Sequence, residues 1–402
     1  MTTISPSFDK STPVYIAACD AYEKTRVTEA VDKAFAALGI TAEMLSGKRV
    51  AIKPNLVMKK GAEAAATTHP AVLDALLTYL DGCGCADVVI AESPGGPYTE
   101  SALRASYRVC GLEDAAKGHN VRFNVDLTAR ELNAPDGVTA KNFHIITPIA
   151  DADVIINLCK LKSHSLTRMS GAIKNTFGTI PGLEKFEMDA RFSDYTDFNS
   201  MLVDLSAMLH ARATVIDLCD AIVGMEGNGP TGGNPRKIGA LLCSQNPFSL
   251  DCIASEMLAC KGEVPMLDEA AKRGYCHSEP SDIITLGDDY KALILSDFVA
   301  PDTAARSASA LTWLPKLFGG SVYRWFSPHP VIRSKTCIGC GECVRSCPVH
   351  TITLEHLKNG KKRAVIHDRD CIRCFCCQEL CPIHSVDIHR NPILDLLGSL
   401  RR

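Results

Sequence analysis

The stretch ADVIINLCKLKSHSLTRMSGAIKNTFGTIPG, residues 152–182, begins as a strand-like apolar run and passes into a polar, glycine-containing segment. Five further runs begin in the same way: PVYIAAC (13–19), RVAIKPNLV (49–57), ADVVIAES (86–93), ATVIDLCDAIVG (213–224) and KIGALLCS (237–244). Between them lie helical patterns, THPAVLDALLTYLDGCG (68–84), TESALRASYRVCG (99–111), DFNSMLVDLSAMLHA (197–211) and PFSLDCIASEMLACKG (247–262). Thr68 and Ser101 are candidate helix caps. Strands alternating with helices predict an α/β fold, a mostly parallel sheet with helices on both faces.

The polar segments fall just after these strands: AESPGGPYTE (91–100), the tail of the opening stretch, and GMEGNGPTGGNPRK (224–237), with IKPNLV (52–57) at the end of another. In an open parallel sheet the carboxyl ends of the strands border one crevice, and ligands bind there. Lys53, Lys160, Lys162 and Lys174 stand in or beside near-apolar strand ends, where an ammonium is costly unless its charge is used. With Asn55, Ser93, Asn175 and Asn228 they form a candidate site for a small anionic substrate. Glycines in SPGG and GMEGNG let backbone N–H groups approach such an anion. His164 and Glu226 are candidate proton movers, and Glu92 is either a site carboxylate or a partner of Ser93 in a helix cap. Asp220 and Asp251 are further acidic candidates, while His69, ahead of Pro70, reads as structural. No run matches a P-loop or the G-x-G-x-x-G fingerprint, so nucleotide binding has no motif behind it.

The 402 residues exceed one ordinary core, and two or three domains are expected: an α/β domain over 1–295, a packed linker over 296–330 holding both tryptophans, and a module over 331–402. A net charge of −3 gives no whole-chain signal for nucleic acid, and no apolar stretch is long enough to span a membrane. The N-terminal residues lack the features of a secretory signal, which predicts a cytoplasmic protein.

Nine of the 19 cysteines lie between Cys337 and Cys381. The runs CIGCGECVRSCP (337–348) and CIRCFCCQELCP (371–382) both fit C-x₂-C-x₂-C-x₃-C-P, the bacterial spacing for a pair of four-iron clusters, in which the cysteine before proline serves the neighbouring cluster. One [4Fe-4S] cluster then takes Cys337, Cys340, Cys343 and Cys381, and the other Cys371, Cys374, Cys377 and Cys347. The segment between the runs reads as a strand pair turning at Asn359–Gly360. From Val331 onward there are 12 Lys and Arg against 7 Asp and Glu, a surplus of five that offsets cluster charge. Arg345 and Arg373 inside the runs are candidates for tuning potential. Cys376 is left over and is expected to be a small packing residue turned away from its cluster. The ten scattered cysteines, Cys83 and Cys85 among them, read as small hydrophobes.

Together IKPNLV, THP, DVVIAESPGG, KLKSHSLTRMSGAIKNTFGTIPG and DAIVGMEGNGP resemble domain-of-unknown-function family 362, over residues 14–295. The resemblance implies an iron–sulfur protein of anaerobic redox metabolism and supplies no substrate. The combined reading is an oxidoreductase fed by a ferredoxin-like donor. Two other readings stand beside it: an electron carrier or maturation partner without substrate chemistry, and clusters that are purely structural.

Overall fold

The computed structural model describes residues 8–301, 328–357 and 360–389. Most of the expected linker, both tryptophans included, and Asn359 of the expected turn lie outside the described residues.

Strands β1 (Val14–Ala18), β2 (Arg49–Pro54), β3 (Asp87–Ile90), β4 (Arg122–Phe123), β7 (Val154–His164), β8 (Arg168–Ser170), β9 (Thr214–Glu226), β10 (Asn234–Ser244) and β11 (Thr285–Gly287) form one sheet. A separate hairpin pairs β5 (Ala129–Asn133) with β6 (Asn142–Ile146). The large sheet runs β11-β1-β10-β9-β7-β2-β3-β4, with β8 paired to β7. Its centre, β9-β7-β2-β3, is parallel throughout, and only β10 and the short β8 run against their neighbours. The architecture is mostly parallel α/β. Two apolar cores lie against the sheet: Val154, Ile156 and Leu158 of β7 belong to one, and Ile155, Cys159 and Leu161 to the other, as the pleat dictates. The helices Lys24–Ala37 and Pro70–Asp81 cover the first, Tyr195–Arg212 and Pro247–Met257 the second.

All six apolar runs form strands and all four patterned segments form helices. Two caps differ from expectation. His69, not Thr68, caps the helix Pro70–Asp81, its Nδ1 accepting from the Ala71 N–H. Thr68 instead joins strand ends, accepting from Asn55 N–H and donating to the Leu158 carbonyl. Thr99 caps the helix Glu100–Val109, within which Ser101 is the second residue. A longer correction concerns β7. Its apolar run ends at Cys159, yet the ladder continues to His164 because β8 and β9 both supply partners for Lys162. KLKSH is therefore strand, not loop, and every residue of it is buried.

The C-terminal residues form two small antiparallel pairs, β12 (His329–Ile332) with β15 (Val386–His389) and β13 (Ile352–His356) with β14 (Lys362–Ile366). Between them the chain repeats itself at an interval of 34 positions, from 337 to 371 and from 347 to 381. Left-handed backbone recurs at Gly339 and Arg373, at Gly341 and Phe375, and at His350 and His384. One-turn helices, Glu342–Arg345 and Cys376–Glu379, follow the second of these turns in each half.

This module is seated on the α/β core. Thr231 Oγ1 donates to the Glu379 carbonyl at 2.7 Å, Gln378 Nε2 to the Asn228 carbonyl at 3.3 Å, and Lys60 Nζ lies 2.6 Å from His384 Nε2.

Candidate functional site

At the carboxyl ends of β2 and β3, and along the far end of β7, a cavity of about 100 Å³ opens between the sheet and the C-terminal module. The sheet side supplies Lys53, Asn55, Glu92, Ser93, Lys162, His164, Lys174 and Asn175. The module supplies Cys374, Cys376, Glu379 and Leu380. The helix Glu184–Arg191 contributes Lys185 and Asp189.

Each group arrives by a local rule. Lys53, near the end of β2, donates to Glu92 Oε2 at 2.6 Å, to the Pro54 carbonyl at 2.8 Å and to Asn175 Oδ1 at 3.4 Å. Glu92 also accepts from the Leu56 and Ser93 N–H groups, so it closes a turn and caps no helix. Gly178 lets this pair form: a Cβ there would strike the Glu92 carboxylate and lie 2.7 Å from Lys53 Nζ. Lys162 donates to Asn55 Oδ1 at 2.9 Å and to the Ala66 carbonyl. Lys185 is held by Ser93 O at 2.6 Å, Ser93 Oγ at 2.8 Å and Ile180 O at 3.0 Å. Lys174 sits in the short helix Ala172–Asn175, whose first N–H groups are tied to the buried Asp251 carboxylate at 2.7 and 2.9 Å. Its ammonium lies over the Phe177 ring at 4.2 Å.

Burial sets the electrostatics. It lowers Lys162 and Lys185 to about 7 and raises Asp189 to about 6 and Glu379 to about 7, opposed in the acids by nearby lysines. It also holds His164 well below the usual imidazole range, helped by Lys174 and Lys162. His164 Nδ1 accepts from the Leu166 and Thr167 N–H groups, which leaves the proton on Nε2, 3.5 Å from Glu379 Oε1. Cys376 donates its thiol proton to Asp189 Oδ2 at 3.2 Å. It is buried, as a packing residue would be, and it also lies in the wall of the cavity.

Three expected residues stand elsewhere. Lys160 is locked to Asp220 at 2.7 Å and to the Tyr22 hydroxyl at 2.8 Å, beneath a stacked Tyr22–His69 pair. Glu226 faces Arg236 at 3.8 Å and accepts from Val299 N–H at the end of β9. Asn228 meets the module through its carbonyl. Lys160 lies a step back along β7, opposite Asp220 of β9, and Glu226 and Asn228 stand at and beyond the end of β9. Lys185, Asp189, Cys376 and Glu379 were not foreseen. Aligning the two cysteine runs offers a signal for the last two, since Cys376 and Glu379 replace Glu342 and Arg345 of the first half.

The eight thiols of the repeated spacing form two neighbourhoods. Cys343 is raised to about 11, by burial first and then by Cys340, Cys337 and Cys381. Cys371 is raised by burial and then, among its thiol neighbours, by Cys374 and Cys347. Backbone N–H groups donate to sulfur in both halves, Thr351 to Cys347 at 3.3 Å and Ser385 to Cys381 at 3.1 Å. Among the described residues no three His, Cys, Asp or Glu side chains close on a single metal ion. A cubane takes one thiolate per iron and needs no such closure, so the spread of thiols and the N–H···S bonds suit it.

The sequence matches the family described as domain of unknown function (DUF362) over residues 50–256 and a 4Fe-4S dicluster domain over residues 336–385. The second match makes the C-terminal module an iron–sulfur, electron-transfer module. A curated relative, the thylakoid-associated protein sll1697 of Synechocystis sp., is 31% identical over 219 residues, 53% of this chain. The chain spans 63% of that relative's length. Among solved structures, the lactate racemase apoprotein of Thermoanaerobacterium thermosaccharolyticum aligns with a TM-score of 0.38 at 11% identity, over 65% of this chain and 59% of that one. A Thermotoga maritima protein from a structural genomics programme aligns at 0.32 and 11%, over 52% of each chain. Among the described residues no helix is long and apolar enough to cross a membrane.

Proposed function

The chain belongs to the DUF362 family, and from that footing we propose a cytoplasmic oxidoreductase in which two [4Fe-4S] clusters exchange electrons with a small anionic molecule held in the crevice. The division into an α/β domain (1–295), a linker (296–330) and a cluster module (331–402) is part of the same proposal. So are the ligand sets, Cys337, Cys340, Cys343 and Cys381 for one cluster and Cys371, Cys374, Cys377 and Cys347 for the other.

One observation carries the reading. Cys374, a ligand in this scheme, and the lysines at the strand ends wall a single cavity. The clusters, when bound, supply one-electron transfer; everything else falls to the chain. Lysines with donors to spare hold the anion, the two cores and the seated module keep bulk water out, and His164 keeps its proton at Nε2. At the far side of the module Cys340 is exposed and Ile338 is 64% exposed, an opening suited to a ferredoxin-like donor.

That same exposed Ile338 favours a second reading, an electron carrier that serves only other proteins. The test is anaerobic reduction of iron-replete protein with limiting dithionite, followed by mixing with a panel of 2-oxo and 2-enoic acids. Under the enzyme reading at least one acid reoxidises the clusters, and Lys162→Met slows this without loss of iron. Reoxidation by a protein acceptor alone overturns it in favour of the carrier.

A further inference from the structure

Resting on the redox reading above and sharpening it, we propose that Lys174 and Lys162 form a clamp for the carboxylate of a short monocarboxylic acid, and that Lys53 and Lys185 in the same cavity take no part in binding. An ammonium has three N–H donors. Lys53 spends its three on Glu92, Pro54 O and Asn175, and Lys185 spends its three on Ser93 O, Ser93 Oγ and Ile180 O. Lys162 uses two, on Asn55 and Ala66. Lys174 makes no hydrogen bond or ion pair with a described residue; its ammonium lies over the Phe177 and Phe198 rings, at 4.2 and 5.7 Å, with Glu379 and Asp189 as its nearest acidic influences. The donors left over therefore belong to Lys174 and Lys162, and Lys174 is among the charges that press on Lys162.

Charge selects the class of anion. Cluster ligands aside, the cavity wall carries Lys53, Lys162, Lys174 and Lys185 against Glu92, Asp189 and Glu379, one positive charge in excess when all are ionised. A monoanion offsets that excess, and a cluster bound at the Cys374 wall would add negative charge that disfavours any higher anion. A dianion such as phosphate would leave a buried negative charge facing two acids, which is costly. Size agrees: about 100 Å³ is the share of roughly three liquid waters, room for a molecule of only a few heavy atoms. Leu56, Leu166, Phe186 and Leu380 offer an apolar wall for a short hydrocarbon tail.

The test measures binding alone, on oxidised, iron-replete protein with no electron donor, so failure of electron transfer leaves its result unaffected. Propionate, propionamide and inorganic phosphate are compared by saturation-transfer NMR. The expected result is binding of propionate about tenfold or more tighter than of its uncharged amide, as a charge-assisted bond requires. In Lys174→Met that preference disappears with the visible spectrum intact, and in Lys174→Arg it survives. The charge-conserving pair Lys53→Met with Glu92→Gln, if it folds, retains the preference. Equal binding of propionate and propionamide in the wild-type protein overturns the proposal, and this comparison needs no variant. Preference for phosphate overturns the monocarboxylate assignment, and propionate binding by Lys174→Met at wild-type strength overturns the clamp.

Discussion

Cys376 and Cys377 are adjacent and both buried, yet their thiols face different chemistry. Both lie beside the Cys374 thiol, but Cys377 also has Cys371, Cys343 and Cys347 around it, whereas Cys376 reaches across to Asp189. Cys376→Ala is expected to keep the iron content of the wild type, and Cys377→Ala to lose about half of it, as a colorimetric iron assay on anaerobically prepared protein will show. Another residue-scale expectation concerns Asp251. Burial raises it from 3.8 to about 7, against the two N–H groups that favour its charged form. Between those values the folded chain holds a proton that the unfolded chain releases, so stability falls as pH rises through that window. Asp251→Asn, uncharged at every pH, should flatten this part of the melting-temperature profile between pH 4 and 7. The spacing of the eight cysteines could be read directly, because a ligand pattern is local. The carboxylate that Cys376 meets could not, because Asp189 stands 187 positions away.

At the scale of the element, β7 gives three buried basic residues three fates. Lys160 is paired, Lys162 is partly free, and His164 is held neutral by burial and by Lys174 and Lys162, with two backbone donors on its Nδ1. Lys160→Met leaves Asp220 buried with its countercharge gone, and a loss of about 3–5 kcal/mol is expected in chemical denaturation. Carboxylate binding in the folded protein should be unchanged, which separates this lysine from Lys162. Gly178→Ala is a second element-scale test: the added methyl meets both members of the Lys53–Glu92 pair, so the melting temperature should drop while iron content holds. The strands were legible because apolar runs bounded by turns leave few alternatives. The extension of β7 was not, since Lys, Ser and His end an apolar pattern while a ladder partner on each side keeps the backbone in register. The helix Glu184–Arg191 was illegible for a related reason: its sequence is polar like a solvated helix, yet Lys185 turns in to Ser93 and Ile180 and Asp189 meets Cys376 of the module.

For the whole molecule, the cavity exists because the module sits where it does. Gly95 is a sensitive point of that contact: a Cβ there would lie 2.7 Å from Leu380 Cδ2 and 3.1 Å from the Val57 carbonyl. Gly95→Val should lift the module's edge, seen as faster amide exchange across residues 376–385 with the iron content retained. The crevice on the sheet was legible from loops that follow parallel strands. Its lid was not, because nothing in either segment alone shows that the C-terminal run closes over the strand ends.

The repeat at 34 positions has a last consequence. In the first half, Glu342 and Arg345 pair with each other at 2.6 Å and face solvent. In the second half the same two positions are Cys376 and Glu379, turned inward to Asp189 and His164. Two copies of one motif have thus become a front and a back. The module is polarised, one end shaped for solvent and the other fitted to the α/β core.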